Sequence, residues 1–148
     1  MGFYDSFEVS ASGLSAERLA MDVIANNIAN ANTTRTPQGG AFKRQLVVFA
    51  QKPGQQTEQD DFSPNAPQRP SVEGVQALGI TDDPSPDRLV FDPGNPEADG
   101  RGYVHYPNVQ VVKEMVDMMA ASRAYEANVA AIQETRNINN AATQLLRS

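Results

Sequence analysis

Cysteine and tryptophan are absent from the 148-residue chain, and histidine occurs only once, at His105. Without cysteine there are no disulfides, no thiolate metal sites and no cysteine nucleophile, and one histidine cannot build a multi-histidine metal centre. Long apolar runs are also lacking, since the longest spans residues 46–50, far short of a bilayer-crossing helix. The first seven residues, MGFYDSF, have neither the basic region nor the apolar stretch of a secretory signal.

Basic residues are the scarcer charge, with 12 Lys and Arg against 18 Asp and Glu, so the net charge is -6. Surfaces that bind nucleic acid or anionic lipid normally carry a basic excess, and we expect neither nucleic-acid binding nor membrane insertion. No nucleophile elbow or phosphate-binding loop occurs, which predicts no catalysis and no cofactor. The acidic stretch 92–100 fits a calcium loop poorly, because Tyr106 stands where that loop needs Glu, and we expect no metal.

Proline is missing from both ends of the chain, since all ten prolines lie between Pro37 and Pro107. Because proline breaks helices, this distribution predicts a helix, an irregular or β-rich middle, and a second helix. We therefore expect an α+β fold in three parts: an N-terminal helix over 1–32, a small β-rich middle region over 33–107, and a C-terminal helix over 108–148. The two helices are expected to pack as a coiled-coil-like pair.

Apolar residues in the N-terminal part recur every seven positions, which is typical of an amphipathic helix with a coiled-coil-like seam. They are Phe7, Leu14, Met21 and Ile28, with Ile24 beside them. A glycine inside this pattern, at position 13, weakens the helix by ~1 kcal/mol relative to alanine.

A second apolar line runs through the C-terminal part in alternating steps of four and three residues. It consists of Val111, Met115, Met118, Ser122, Tyr125, Val129 and Ile132, and Val112, Val116 and Met119 widen it. Asn108 follows a proline and is the predicted N-cap of this helix.

The predicted helices are too long for a compact domain of this size. A helix over 3–31 is ~43 Å long and one over 108–147 is ~60 Å, whereas the expected radius of gyration is ~15 Å. Burial of the apolar seams does not clearly outweigh the entropy of ordering so many residues. We therefore expect other chains to complete these helices, and the free monomer to be poorly ordered there.

The middle region predicts short strands joined by turns. Residues 42–50 are rich in β-formers and predict a strand, and the polar, proline-rich stretch 51–71 predicts a loop. Residues 75–81 and 88–91 flank the turn-like DDPSPD, which predicts a hairpin between them, and 92–102 predict another loop.

Four passages resemble a known family. ANNIANANT (25–33) and EMVDMMAASRAYEANV (114–129) are similar to the terminal signatures of the bacterial flagellar axial proteins, which build the rod and hook. TTRTPQGGAFKRQ (33–45) and DPSPDRLVFDPGNPEADGRGYV (83–104) resemble the proximal rod proteins of the flagellar basal body in particular. The chain is therefore identified as a member of the axial family, on motifs at both ends and in the right order.

The resemblance implies a structural subunit of the proximal rod, a hollow drive shaft that transmits torque and passes exported subunits outward. It implies partners among the other rod proteins and copies of the same chain, extending to export-gate and distal-rod subunits. It also implies a place in the basal body within the periplasmic space, reached through the flagellar type III export system. The alternative is a helical adaptor that binds one partner without forming a rod.

The residues expected at subunit interfaces combine the apolar seams with the polar residues of the two signatures. Buried amides must find partners and so disfavour wrong helix registers, whereas an Arg–Glu pair three residues apart can bond within its helix or across chains. The expected set is Phe7, Leu14, Met21, Ile24, Asn26, Asn27, Ile28, Asn30, Met115, Met118, Met119, Arg123, Tyr125, Glu126, Asn128, Val129 and Ile132.

Overall fold

The structure, a computed structural model, describes residues 3–52 and 74–145. Its elements are α1 (Phe3–Ala29), β1 (Gln45–Gln51), β2 (Val75–Asp82), β3 (Arg88–Phe91), β4 (Tyr103–Tyr106) and α2 (Val111–Leu145). The expected α+β class, with long helices at both ends and a small β-rich middle, is confirmed. Most of the loop expected over 51–71 lies outside the described residues.

The two helices form an antiparallel pair. Asn27 near the end of α1 contacts Glu114 in the first turn of α2, and Phe7 near the start of α1 lies under Arg136. The buried apolar residues of this pair are small or medium in size, namely Ala16 and Val23 on α1 and Ala121 on α2. Neither helix, over the residues that the structure describes, is long and apolar enough to cross a membrane.

Gly13 marks a close approach of the two helices. A Cβ at this position would lie 2.9 Å from Nδ2 of Asn128 on α2, which is closer than unbonded atoms pack. The glycine costs helix propensity, but it makes room for the Asn128 side chain.

The strands form two separate two-stranded antiparallel sheets. β1 pairs with β2 from Gln45 opposite Asp82 to Gln51 opposite Val75, with an irregularity in the middle of the ladder. β3 pairs with β4, with Phe91 opposite Tyr103.

The predicted hairpin between 75–81 and 88–91 is wrong. The segment between these strands connects the two sheets, because its backbone bonds elsewhere. The Asp83 N–H donates to the Arg44 carbonyl at 2.7 Å, and the Ser85 carbonyl accepts from the Asn108 side chain at 3.1 Å. The hairpin is formed by β3 and β4, and the predicted loop over 92–102 connects these two strands.

The first sheet lies along α1 and is tied to it by side chains of that helix. Ser12 Oγ accepts a hydrogen bond from the Val75 N–H at 3.0 Å, which fixes the start of β2. Lys52, directly after β1, forms an ion pair with Glu8 at 2.6 Å. These bonds orient the sheet relative to the helix pair.

The predicted N-cap of α2 is also wrong. The helix begins at Val111, and the Asn108 side chain lies before it, accepting a hydrogen bond from the Arg44 N–H at 2.9 Å. An N-cap side chain accepts from its own helix, but this amide joins the start of β1 to the segment that leads into α2.

Candidate interaction site

Glu114 is the most enclosed polar residue in the described part of the chain, with an exposed fraction of 0%. Its Oε1 accepts from the Arg44 Nε at 2.6 Å, and its Oε2 accepts from the Asn27 Nδ2 at 3.0 Å. A buried carboxylate is very costly unless it is paired and hydrogen-bonded, and here both oxygens have partners from outside their own helix.

Arg44 has two further carboxylate partners. Its guanidinium lies 3.3 Å from Asp83 Oδ2 and 3.6 Å from Asp117 Oδ2. Burial opposes the charged guanidinium, but the hydrogen bonds and charges of Glu114 and Asp83 outweigh it and raise the pKa of Arg44 above its ordinary value. Hydrogen bonds from Ser85, followed by Arg44, lower the pKa of Asp83.

Asn27 completes the edge of β1 from the side of α1. Its Nδ2 donates to the Gln45 carbonyl at 2.9 Å, and its Oδ1 accepts from the Gln45 N–H at 2.8 Å. One amide thus satisfies both backbone groups of a strand residue, as a neighbouring strand would. Because Asn27 is 1% exposed, its bonds in the single chain are internal.

We call this set of residues the Arg44 cluster. It joins five segments of the chain: α1, the start of β1, the link between β2 and β3, the link between β4 and α2, and the first turn of α2. Each member has a partner in another segment, so the cluster forms in one arrangement only. Its members are Asn27, Arg44, Gln45, Asp83, Asn108 and Glu114.

The apolar residues of α2 are divided between two opposite faces, not gathered on one stripe. The face toward α1 includes Glu114, Met118, Ala121, Tyr125, Asn128 and Ile132, which are buried or half-buried. We call the opposite face the outer face of α2. Its residues Val112, Met115, Val116 and Met119 have exposed fractions of 77%, 55%, 54% and 53%.

The residues expected at interfaces divide in the same way. On the outer surface lie Asn26, Met115, Met119, Arg123 and Glu126, all exposed, whereas Asn27 is buried in the Arg44 cluster. Half-buried are Phe7, Leu14, Met21, Ile24, Ile28, Asn30, Met118, Tyr125, Asn128, Val129 and Ile132. As contacts with other subunits, all of these stay predictions.

Arg123 and Glu126 do not pair with each other among the described residues. Both are exposed on the outer face of α2, where helix geometry places them in line with Val112 and Met119. Arg123 and Glu126 could bond within the helix or across chains, and the bond within the helix is not formed in the single chain.

The far end of the helix pair, where α1 begins and α2 ends, has a contact between a cation and an aromatic ring. Arg136 lies 5.9 Å from the centre of the Phe7 ring, and residues 136–145 of α2 are all exposed. Since Phe7 faces Arg136, the last turn of α2 extends beyond the start of α1.

Several residues of the Arg44 cluster escaped sequence analysis. Glu114 falls inside an apolar helical pattern, and Arg44 precedes a strand of apolar residues. An isolated charge beside an apolar run is the signal that could have singled them out. Their pairing could not be found that way, because it depends on how distant segments pack.

Comparison with known proteins defines the class. The family model of flagella basal body rod proteins matches residues 7–35, and the C-terminal model of flagellar basal body rod FlgEFG proteins matches residues 101–145. The chain is thus a flagellar basal-body rod protein, a structural protein of the bacterial motility apparatus.

Full-length relatives narrow this class. The flagellar basal-body rod protein FlgC of Borreliella burgdorferi is 42% identical over 151 residues, covering 99% of both chains. FlgC of Yersinia enterocolitica is 41% identical, covering 93% of both chains. FlgC of Bacillus subtilis is 39% identical, covering 93% of this chain and 94% of the relative. The chain belongs to the flagellar basal-body rod protein FlgC family.

Proposed function

We propose that the chain is a subunit of the proximal rod, assembled with its own copies and other rod proteins into a hollow shaft. The observation that carries this proposal is the outer face of α2. Val112, Met115, Val116 and Met119 are at least half exposed on a helix whose opposite face is already occupied by α1. Exposed apolar patches of this kind mark interaction surfaces, so the helix pair has a face to offer after it has formed.

The far end of α2 supports the same function. Residues 136–145 are exposed in the described part of the chain, and a helix in water gains most of its stability from packing. A neighbouring subunit would supply that packing in a tube of axial helices.

The three parts of the chain have separate roles in this proposal. The terminal parts, 1–32 and 108–148, line the tube, and the middle, 33–107, forms its outer layer. The chain catalyses no reaction. It reaches the periplasm unfolded through the type III export system, and it transmits torque between the neighbours that it contacts, among them export-gate and distal-rod subunits.

Incorporation into basal bodies tests this function. In cells that lack their own copy, the chain should restore rods and swimming, and Val116→Asp should abolish both because it would place a charge on a surface that becomes buried. Val116→Ala is the matched control and should retain rods. Rods of normal composition in the Val116→Asp cells, or basal bodies that never contain the chain, would contradict the proposal.

Order in the free and assembled chain provides a second test. We expect amides in residues 136–145 to exchange rapidly in the monomer and slowly in isolated basal bodies. Circular dichroism of the monomer should likewise show less helix than the assembled chain contains. A monomer with as much helix as the assembled chain, and with slow exchange over residues 136–145, would count against assembly-coupled ordering.

A further inference from the structure

The hairpin of β3 and β4 carries an exposed apolar face that no residue within 3–52 or 74–145 covers. Leu89, Phe91 and Tyr103 are 55%, 64% and 38% exposed. The register places Phe91 opposite Tyr103 and Leu89 opposite His105, so these side chains share one face. On the other face Val104 is only 1% exposed, which anchors the hairpin in the fold.

This hairpin face is preformed. The rings of Phe91 and Tyr103 meet edge to face with their centres 5.2 Å apart. Gly102 has a φ of 80°, and a Cβ there would lie 3.0 Å from Cε2 of Phe91. A glycine is therefore required for the turn and for the ring beside it. Aromatic side chains that are already fixed lose little entropy on binding.

Acidic groups lie at the end of the hairpin, and the ion-pair partner of Asp99 among the described residues is His105, whose Nε2 lies 3.9 Å from Asp99 Oδ2. The Asp99 carboxylate accepts from the backbone N–H groups of Arg101 and Tyr103, and these bonds lower the pKa of Asp99, which keeps it ionised. Within residues 3–52 and 74–145, neither Asp92 nor Asp99 has a lysine or arginine partner. A partner surface should therefore be apolar with basic residues beside it.

The outer face of α2 has that composition. Its valines and methionines lie beside two exposed basic residues, Lys113 and Arg123, against one exposed acidic residue, Glu126. Neither basic residue has a carboxylate partner in the part of the chain that the structure describes. Methionine adapts to irregular surfaces and makes favourable contacts with aromatic rings. The other exposed apolar surface, that of β1 and β2, carries one charged residue over 45–51 and 75–82, the acidic Asp82, and so offers no basic match.

We propose that the hairpin face of one copy docks on the outer face of α2 of the next copy. The contact rests on the proposed function, for which it names the surfaces that join copies. Because two different surfaces meet, the contact is head to tail, which excludes a two-fold dimer and lets copies be added one after another around a shaft.

Cross-linking tests this contact directly, because the chain has no cysteine of its own. Leu89→Cys and Met115→Cys, each at a position that is 55% exposed, are produced together in one cell, and isolated basal bodies are treated with a short bis-maleimide. We expect a cross-linked pair of copies when both variants are present, and none with either variant alone. Leu78→Cys combined with Met115→Cys is the control and should give no pair.

The outcomes separate the contact from the function. Rods that contain both cysteine variants but give no cross-link would overturn the contact and leave the function standing. A cross-link with Leu89→Cys alone, or an equal one with Leu78→Cys, would overturn it as well. Absence of the unsubstituted chain from basal bodies would overturn the function itself.

Introducing a charge on the hairpin face tests the same contact without a cross-linking reagent. Phe91→Asp should abolish incorporation into rods, whereas Leu78→Asp, at a position with the same 64% exposure, should retain it. Retention of Phe91→Asp in swimming cells would contradict the contact. Circular dichroism of the two purified variants shows whether each keeps the helix content of the unsubstituted chain.

Discussion

The two ends of the helix pair differ in how the chain completes them. At one end, Asn27 and Glu114 are almost fully buried and bonded to the middle region. At the other, Arg136 rests on Phe7 and residues 136–145 are exposed. Specific polar contacts within the chain are thus concentrated at the Arg44 cluster, whereas the far end is exposed.

The hydrogen bonds of the buried polar groups explain why this end of the helix pair determines the register of the two helices. An apolar seam tolerates a sliding of one helix along the other, because methyl groups accept many neighbours. A buried carboxylate does not, since any shift leaves it without donors. The Arg44 cluster therefore selects one register for the helices and one position for β1.

The largest expected effect comes from breaking the buried end. Glu114→Ala leaves the guanidinium of Arg44 without its closest partner and should lower the free energy of unfolding by about 3–5 kcal/mol. Asp83 and Asp117, which remain near Arg44, place the value toward the lower part of this range. Urea unfolding followed by circular dichroism measures it.

Glu134→Ala is the matched control, because it removes an exposed carboxylate from the same helix. It should change the unfolding free energy by less than about 0.5 kcal/mol. If Glu114→Ala and Glu134→Ala lowered the unfolding free energy equally, the buried cluster would not be the main source of stability.

A smaller loss of stability is expected from substitution of Gly13, where α1 lies close to Asn128 of α2. Gly13→Leu should destabilise the pair by about 1–3 kcal/mol, because the side chain must displace Asn128. Gly13→Ala should be close to neutral, since its better helix propensity offsets contact with the movable end of the Asn128 amide. Thermal melting of the two variants checks the order, and a stabilised Gly13→Leu would show that the helices do not meet there.

Acid should weaken the buried end through Asp83. Because its pKa is lowered in the folded chain, its contribution is complete above the ordinary aspartate pKa and is lost as the pH falls through the lowered value. Asp83→Asn should therefore reduce stability at neutral pH and flatten its decline in acid. Melting temperatures measured from neutral pH into acid test this, with Asp92→Asn as the exposed control. An unchanged acid profile in Asp83→Asn would contradict the role of this carboxylate.

The smallest effect is expected at the far end. Arg136→Ala removes an exposed contact with an aromatic ring, worth about 0.5–1 kcal/mol or less in the monomer. In the assembled rod the same substitution should matter more, because neighbours then enclose the site. Hydrogen exchange of residues 136–145 in both states compares them, and a large loss of monomer stability would place this end on a par with the Arg44 cluster.

The sequence predicts the helices well because their signals are local. The confinement of proline to the middle separates α1 from α2, and the apolar pattern of residues 42–50 locates β1. Strand partners were not predictable in this way. DDPSPD has the composition of a turn, yet it joins two sheets, because its backbone bonds to Arg44 and Asn108 decide its path.

The apolar pattern of the sequence also did not predict which face of α2 contacts α1. Sequence analysis assigns the most apolar line of a helix to its main contact, which favours Val111 and Met115. The structure instead turns Glu114 and Ala121 inward and leaves Met115 exposed. When a helix contacts two surfaces, its apolar pattern shows both together, and only the position of a buried charge distinguishes them.

The Arg44 cluster has a consequence for the order in which the polypeptide takes shape. Asn27 is made early and Glu114 late, so a chain that emerges from its first residue onward lacks the closest partner of Arg44 until most of its length has appeared. Under the proposed export of the unfolded chain, the Arg44 cluster is therefore completed only after the C-terminal part has arrived.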